Sequence, residues 1–222
     1  MIQPEGVRIP RLLRDIETFR EWVRSDDFPE RGRIDWIGGE VEVDMSPEDI
    51  TTHGTLKTAI ATGLVNLIEP SDRGIVLIDR ARLSSPSGDL SVEPDVVVIL
   101  NESVESGRVR LIPKSGAREG RFIELEGAAD LVVECVSDSS KKKDRERLPA
   151  RYFAAGVREY WVMDGRVDPV AFMLCRRGGD RYVETEPDGD GFRRSEILGR
   201  SARIVRIPMK SGLVRFRLET RP

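Results

Sequence analysis

Along residues 12–24, LLRDIETFREWVR, the apolar positions Leu13, Ile16, Phe19 and Val23 recur at helical spacing and predict an amphipathic helix. The period then changes. RIDWI and EVEVD flank Gly38-Gly39, and the second segment alternates Val41 and Val43 against Glu40, Glu42 and Asp44, which predicts a β-hairpin. Helical spacing returns from residue 46 to residue 70. There Leu56, Ile60, Leu64 and Leu67 share a stripe, Ser46 or Asp49 is placed to cap, and Pro70 ends the run.

Shorter apolar runs follow. GIVLIDRARL and VEPDVVVIL read as strands, while residues 101–120 are polar and without period, predicting a mobile loop. GRFIELEG, ADLVVECV and VREYWVMDG predict further strands. Between the last two, Ser137 to Ser140 offer capping groups for a helix over about 142–155, and Gly156 offers its stop. PVAFMLCRRGGDRYVETE continues as a meander, and RSARIVRIPMKSGLVRFRLETRP adds one or two basic strands. Helices interspersed with strands in this order define an α+β (mixed α/β) class built on a mixed sheet.

The length of 222 residues suggests one domain of ordinary to large size, or at most two. A single domain is the expectation, with its core over about residues 30–165 and a C-terminal β extension over about 166–222. With 36 basic and 39 acidic residues, the net charge of −3 neither favours nor opposes a nucleic-acid partner, since local patches decide that. MIQPEGVRIPRLLRD lacks the apolar stretch of a signal peptide, and no later run approaches a membrane span. Cys135 and Cys175 read as small buried hydrophobes in a reducing, cytoplasmic compartment. His53 is the only histidine, so any metal here is held by oxygen.

Two acidic residues stand out on apolar strands. Asp95 opens VVVIL and Glu134 interrupts LVVECV. An ionised carboxylate in such a place costs several kcal/mol, in rough terms, unless a cation or strong donors receive it. Two carboxylates on neighbouring strands make a hard oxygen site suited to Mg²⁺ or Mn²⁺. Such an ion activates water and polarises a phosphodiester, and a nearby lysine would steady the charge on the phosphate. The plainer readings are a turn aspartate after Pro94 and a structural ion pair between Glu134 and an arginine.

EPDVVVIL, ADLVVECVSDSSKKKD and RYFAAGVREYWVMD together resemble the Uma-type family of putative restriction endonucleases, within the PD-(D/E)XK nuclease superfamily. The resemblance runs from about Trp36, through GEVEVDMSPED and His53, to about Asp164, and AGVREYW is its most specific part. It implies a mixed sheet flanked by helices, with Asp95 and Glu134 as metal ligands. One departure matters. The superfamily's lysine usually lies two residues after the second acid, where this chain has Val136. Many family members carry a lysine four residues beyond the aspartate matching Asp144, and here that position is Leu148. Lys143, at the start of the following helix, is therefore the candidate, with Lys142 in reserve. Lys141 reads as a solvated residue.

Other residues carry two readings each. A glutamate at the position of Glu40 is typical of the resembling family, so it stands either as a third acid near the metal or as an exposed strand residue. His53 shares the stripe of Leu56, Ile60 and Leu64, which suggests a packed residue, whereas the resemblance suggests a phosphate-contacting or supporting one. Lys143, Arg147 and Arg151 recur at i, i+4 and i+8, either as a phosphate-binding row or as a solvated face neutralised by Asp144 and Glu146. Tyr160 and Trp161 belong to an alternating strand and read as core.

The expected function is metal-dependent hydrolysis of DNA phosphodiester bonds, with Asp95, Glu134, Lys143, Glu40 and His53 as site residues. A homodimer would suit double-strand cutting. The rival is a catalytically silent nucleic-acid-binding or interaction module that keeps the fold. A metal hydrolase acting on a smaller phosphoester is the third.

Overall fold

The computed structural model describes residues 8–114 and 119–222. The first seven residues of the N-terminal segment, and residues 115–118 of the expected loop, lie outside the described residues. Helix α1 (Ile16–Arg24) starts at Asp15, whose carboxylate accepts the Thr18 N–H while the Thr18 hydroxyl accepts the Asp15 N–H. Its buried face, Ile16, Phe19 and Trp22, packs on Ile34 and Trp36 of strand β1 (Arg33–Ile37). Gly38 and Gly39, both at positive φ (62° and 85°), turn β1 into β2 (Glu40–Asp44), setting Ile37 opposite Glu40 and Arg33 opposite Asp44.

Asp49, not Ser46, caps the next element, accepting the Thr51 and Thr52 N–H groups. A wide π-helical turn over Ile50–Gly54 then leads into α2 (Thr55–Ile68). Leu56, Ile60, Leu64 and Ile68 form its buried face; Leu67 is only partly buried. The wider turn breaks the helical phase between His53 and that stripe, so the histidine leaves the core face on which its spacing placed it.

Strands β3 (Gly74–Ile78), β4 (Arg82–Ser85), β5 (Leu90–Val92) and β6 (Val96–Leu100) follow. The polar region expected as a loop instead begins with a short helix, α3 (Asn101–Glu105), and a strand, β7 (Val109–Pro113). Only Val109 of that strand is fully buried, which explains the missing hydrophobic period. Next come β8 (Phe122–Gly127), β9 (Leu131–Cys135), a π-helical turn over Lys143–Arg147, and α4 (Leu148–Ala155), which stops at Gly156 with φ 89°. The chain closes with β10 (Glu159–Asp164), β11 (Ala171–Arg177), β12 (Tyr182–Glu184), β13 (Arg193–Ser195), β14 (Arg200–Pro208) and β15 (Val214–Arg221).

These strands form three sheets. The central one has the order β12-β11-β10-β9-β6-β3 and is mixed, because β9 and β10 run parallel while the other pairs are antiparallel. A second, β2-β1-β5-β4-β8-β7, is joined by one parallel pair, β4 with β8; the third is β13-β14-β15. Both faces of the central sheet are covered, so its inner strands are apolar without alternation. Val96, Val98, Val133 and Trp161 pack towards α2 and the C-terminal strands, through Ile60, Leu64, Ala202 and Phe216. Val97, Ile99, Val132 and Tyr160 pack on the other face, towards Leu148 and Tyr152 of α4 and Leu83 and Leu125 of the second sheet. Tyr160 and Trp161 are thus core, as expected. Among the described residues no helix is long and apolar enough to cross a membrane.

Glu159 ties the C-terminal strands to this frame. One of its oxygens accepts the Glu196 and Ile197 N–H groups, and the other accepts from the Ser195 hydroxyl and the Trp161 indole. Replacing it by alanine strands these buried donors, each at a cost of about 1–3 kcal/mol. Glu159→Ala should therefore lower the urea midpoint well beyond the effect of Glu159→Gln, which keeps one acceptor oxygen; equal midpoints for the two variants would refute the assignment.

Candidate active site

The antiparallel register of β6 and β9 ends at Val96 opposite Val133. One step further along it, Asp95 and Glu134 meet on the face towards α4, with only 4% and 1% of their surface exposed. One oxygen of each is already engaged by a neutral donor. The Cys135 N–H donates to Asp95 Oδ2 at 2.7 Å, and the Tyr152 hydroxyl donates to Glu134 Oε1 at 2.7 Å. The remaining oxygens turn to a single cation, Arg33. Its Nη1 lies 3.8 Å from Asp95 Oδ1 and its Nη2 lies 3.6 Å from Glu134 Oε2. These are charge contacts beyond hydrogen-bond reach. The guanidinium is oriented by Asp35, which accepts from Nε at 3.1 Å, while Nη2 is buried without a hydrogen-bond partner among the described residues.

Around this centre opens a cavity of about 510 Å³ whose wall includes Arg33, His53, Lys57, Asp95, Glu134 and Lys143. His53 bridges two acids, with Nε2 3.4 Å from Asp95 Oδ2 and Nδ1 2.8 Å from Glu48 Oε1. Lys57 continues the chain of charges to Glu48 at 2.8 Å and Asp79 at 3.0 Å. Lys143 reaches neither Asp95 nor Glu134 by an ion pair; its Nζ lies 3.4 Å from Asp35 Oδ2. Lys141 and Lys142 are exposed, and Lys142 borders a neighbouring depression.

Glu40 does not join this group. It sits exposed at the hairpin, at the opposite end of β1–β2 from Arg33, and pairs with Arg147 at 2.9 Å. The basic row is neutralised across the interface with that hairpin and its surroundings rather than within its own helix. Arg147 takes Glu40 and Glu42, Arg151 approaches Asp89 at 3.8 Å, and Lys143 takes Asp35. The sequence pattern did not single out Arg33, Asp35 or Tyr152 for this site. Arg33 and Asp35 sit two apart in a strand, a spacing that normally marks a solvated face. Asp144 is also deeper than its place in a basic run suggests. It is 1% exposed, one oxygen accepting from the Ser140 hydroxyl at 2.5 Å and the other without a partner.

Burial is the largest influence on Glu134, Asp144 and Asp95. It pushes Glu134 up to about 8, with Asp95 and Asp144 adding repulsion that Arg33 and Lys143 only partly offset. It likewise raises Asp144 to about 6, against the Ser140 hydrogen bond and Lys143. For Asp95 burial is outweighed by His53, Arg33 and the Cys135 N–H, which hold it below the usual carboxylate range. The surroundings thus favour the ionised form at Asp95 and the protonated form at Glu134, and the two titrate as a pair. His53 rises to about 9, because its contacts with Asp95 and Glu48 overcome the opposing effect of burial.

The donor set suits a hard divalent cation. Each carboxylate has one oxygen fixed by the protein and one directed at a shared cationic position. Among the described residues no three His, Cys, Asp or Glu side chains converge as a complete cage. Two carboxylates with the rest of the shell from water is a common arrangement for Mg²⁺.

The paired acids thus lie at the ends of two inner strands of a mixed α+β fold whose central sheet is covered on both faces. A putative nuclease belonging to DUF820 from Anabaena variabilis has a similar structure, with a TM-score of 0.56 and 15% identity, covering 75% of this chain and 83% of that one. The model of the Uma2 family, described as "Putative restriction endonuclease", matches residues 16–205, and the chain belongs to that family. No curated protein matches the sequence.

The raised acids make stability fall as pH rises. The folded protein keeps a proton on Glu134 that the unfolded chain releases from about 4.5, and it keeps it until about 8; His53 acts in the same sense up to about 9. Metal-free protein should therefore show urea midpoints that decline from pH 5 to pH 8, and Glu134→Gln should flatten part of that slope, leaving the contributions of Asp144 and His53. An unchanged slope in Glu134→Gln would contradict the assignment of the proton to Glu134.

Proposed function

We propose that the protein is an endonuclease that hydrolyses DNA phosphodiester bonds with a divalent ion, Mg²⁺ or Mn²⁺, held by Asp95 and Glu134. One observation carries this reading: the two buried carboxylates are each half-fixed by neutral donors and half-directed at a shared cation. Membership of the family described as "Putative restriction endonuclease" supports the substrate class.

The ion, when bound, supplies Lewis acidity towards a phosphoryl oxygen and lowers the pKa of an attacking water. The chain's own residues do the rest. The Cys135 N–H and His53 hold Asp95 in place and ionised, and Tyr152 fixes the orientation of Glu134. Glu48, itself paired with Lys57, holds His53 in turn at the cavity rim. Water attacks the phosphorus in line and the bond to the leaving sugar oxygen breaks, with no covalent intermediate on the protein. Charge building on the phosphate requires a cation from the cavity wall, where Arg33 and Lys143 both approach the acidic centre.

The silent-module reading has one observation in its favour, since Arg33 already neutralises the acidic pair without an ion. Plasmid nicking separates the two. Purified protein should convert supercoiled plasmid to open-circular or linear forms with Mg²⁺ or Mn²⁺, and Asp95→Ala and Glu134→Ala should each reduce the rate by about 10³-fold or more, the scale of losing a central electrostatic element. Cleavage that survives both substitutions would refute the site, and its absence in the wild type with either ion would favour the silent module.

A further inference from the structure

We infer that Arg33, not a lysine of the α4 helix start, is the cation that stabilises the scissile phosphate, and that it reaches the phosphate by yielding its place between Asp95 and Glu134 to the metal ion. This rests on the nuclease reading above and assigns a role within the same site.

The geometry separates the candidates. Arg33 is the cation that faces both Asp95 and Glu134, at 3.8 and 3.6 Å. Among the described residues Lys143 pairs with Asp35 alone, and Asp35 is also the residue that orients Arg33. Lys143 is therefore engaged in supporting the guanidinium's own anchor. Lys142 is exposed and contacts none of the three acids by an ion pair. The position usual for the superfamily's lysine holds Val136, which is buried in the core.

Arg33 is also built to move. Its contacts with the two acids are longer than hydrogen bonds, and among the described residues Nη2 has no hydrogen-bond partner although it is buried. A guanidinium carries five donors in a planar fork, and this one leaves part of that fork unused beside an open cavity. Only the Nε bond to Asp35 is a full hydrogen bond, and it anchors the base of the fork while the two Nη groups remain available. The residue before it, Gly32, has φ +82°, and a Cβ there would collide with Met45. The strand thus begins at a glycine-dependent turn directly behind the arginine. A divalent ion between the acids would repel the guanidinium from its resting contacts. The planar fork then matches two oxygens of a phosphate lying in the cavity.

Two consequences follow that a merely structural ion pair would not produce together. First, Arg33 competes with the ion, so removing it tightens metal binding. If the guanidinium fills the position about nine-tenths of the time, apparent affinity in the wild type is about tenfold weaker than intrinsic. Second, removing it eliminates the charge that stabilises the transition state, a loss of about 10²–10³ in rate.

The test uses the full chain with four proteins: wild type, Arg33→Met, Arg33→Lys and Lys143→Met. Mn²⁺ binding is measured by calorimetry, thermal stability with and without Mn²⁺, and plasmid cleavage in Mn²⁺. Arg33→Met should bind Mn²⁺ about tenfold more tightly than wild type and cleave about 10²-fold or more slowly. It should melt lower than wild type without metal and recover with Mn²⁺, since the ion replaces the missing positive charge. Lys143→Met should lose less cleavage than Arg33→Met and show no comparable gain in Mn²⁺ affinity. Should Arg33→Met fail to fold even with Mn²⁺, Arg33→Lys decides: it should cleave more slowly than wild type without losing Mn²⁺ affinity. Unchanged Mn²⁺ affinity in Arg33→Met, wild-type cleavage in either Arg33 variant, or a dead Lys143→Met would each overturn the inference. A wild-type protein that neither binds Mn²⁺ nor cleaves would instead overturn the nuclease reading on which it rests.

Discussion

Two carboxylates placed side by side in a protein interior repel each other and forgo water, so something must be built to receive them. In this fold that constraint falls on Asp95 and Glu134, and four elements answer it. The β6–β9 register brings the acids together, and the last residue of β9 supplies the Cys135 N–H. Helix α4 supplies the Tyr152 hydroxyl, and the first residue of β1 supplies the Arg33 guanidinium. Each donor comes from a different part of the chain. The second sheet and α4 therefore have to dock on the central sheet before the pair is tolerated.

The same arrangement explains the division of labour within the cavity. Asp35 anchors Arg33 and receives Lys143, while Glu48 links His53 with Lys57. Positive and negative groups alternate across the acidic centre, so its net charge is small despite the density of ionisable residues. Arg147 and Arg151 serve a different purpose, fastening α4 and the turn before it to the β1–β2 hairpin and to Asp89. The basic row that resembled a phosphate-binding surface is largely an internal clamp that holds Tyr152 and Lys143 against the site.

Much of the fold was readable because its signals were local. The Ile16–Phe19–Val23 spacing of α1, the Gly38-Gly39 turn, the Leu56–Ile60–Leu64 stripe and the stop at Gly156 each depend on a few neighbouring residues. The acids were readable for another reason: Asp95 and Glu134 violate an otherwise apolar pattern, and a violation inside a buried strand is informative. Arg33 and Asp35 violate nothing. They alternate with Ile34 and Trp36 as an ordinary half-exposed strand would, and only the docking of other elements buries them. His53 was placed on the core face because the π-helical turn, which shifts its phase, has no reliable sequence signature. Glu40 illustrates the converse, a family-typical acid that the hairpin geometry carries away from the centre.

The central claim is that the acidic pair is a cation site with two alternative occupants, one supplied by the chain. A crystal structure of the protein grown or soaked with Mn²⁺, with the metal located by anomalous scattering, tests it most directly. The account predicts one ion bound by the Asp95 and Glu134 oxygens that now face Arg33, with the guanidinium displaced into the cavity and still held by Asp35. An acidic pair that remains bridged by Arg33 at saturating Mn²⁺, with no ion between the two carboxylates, would contradict it.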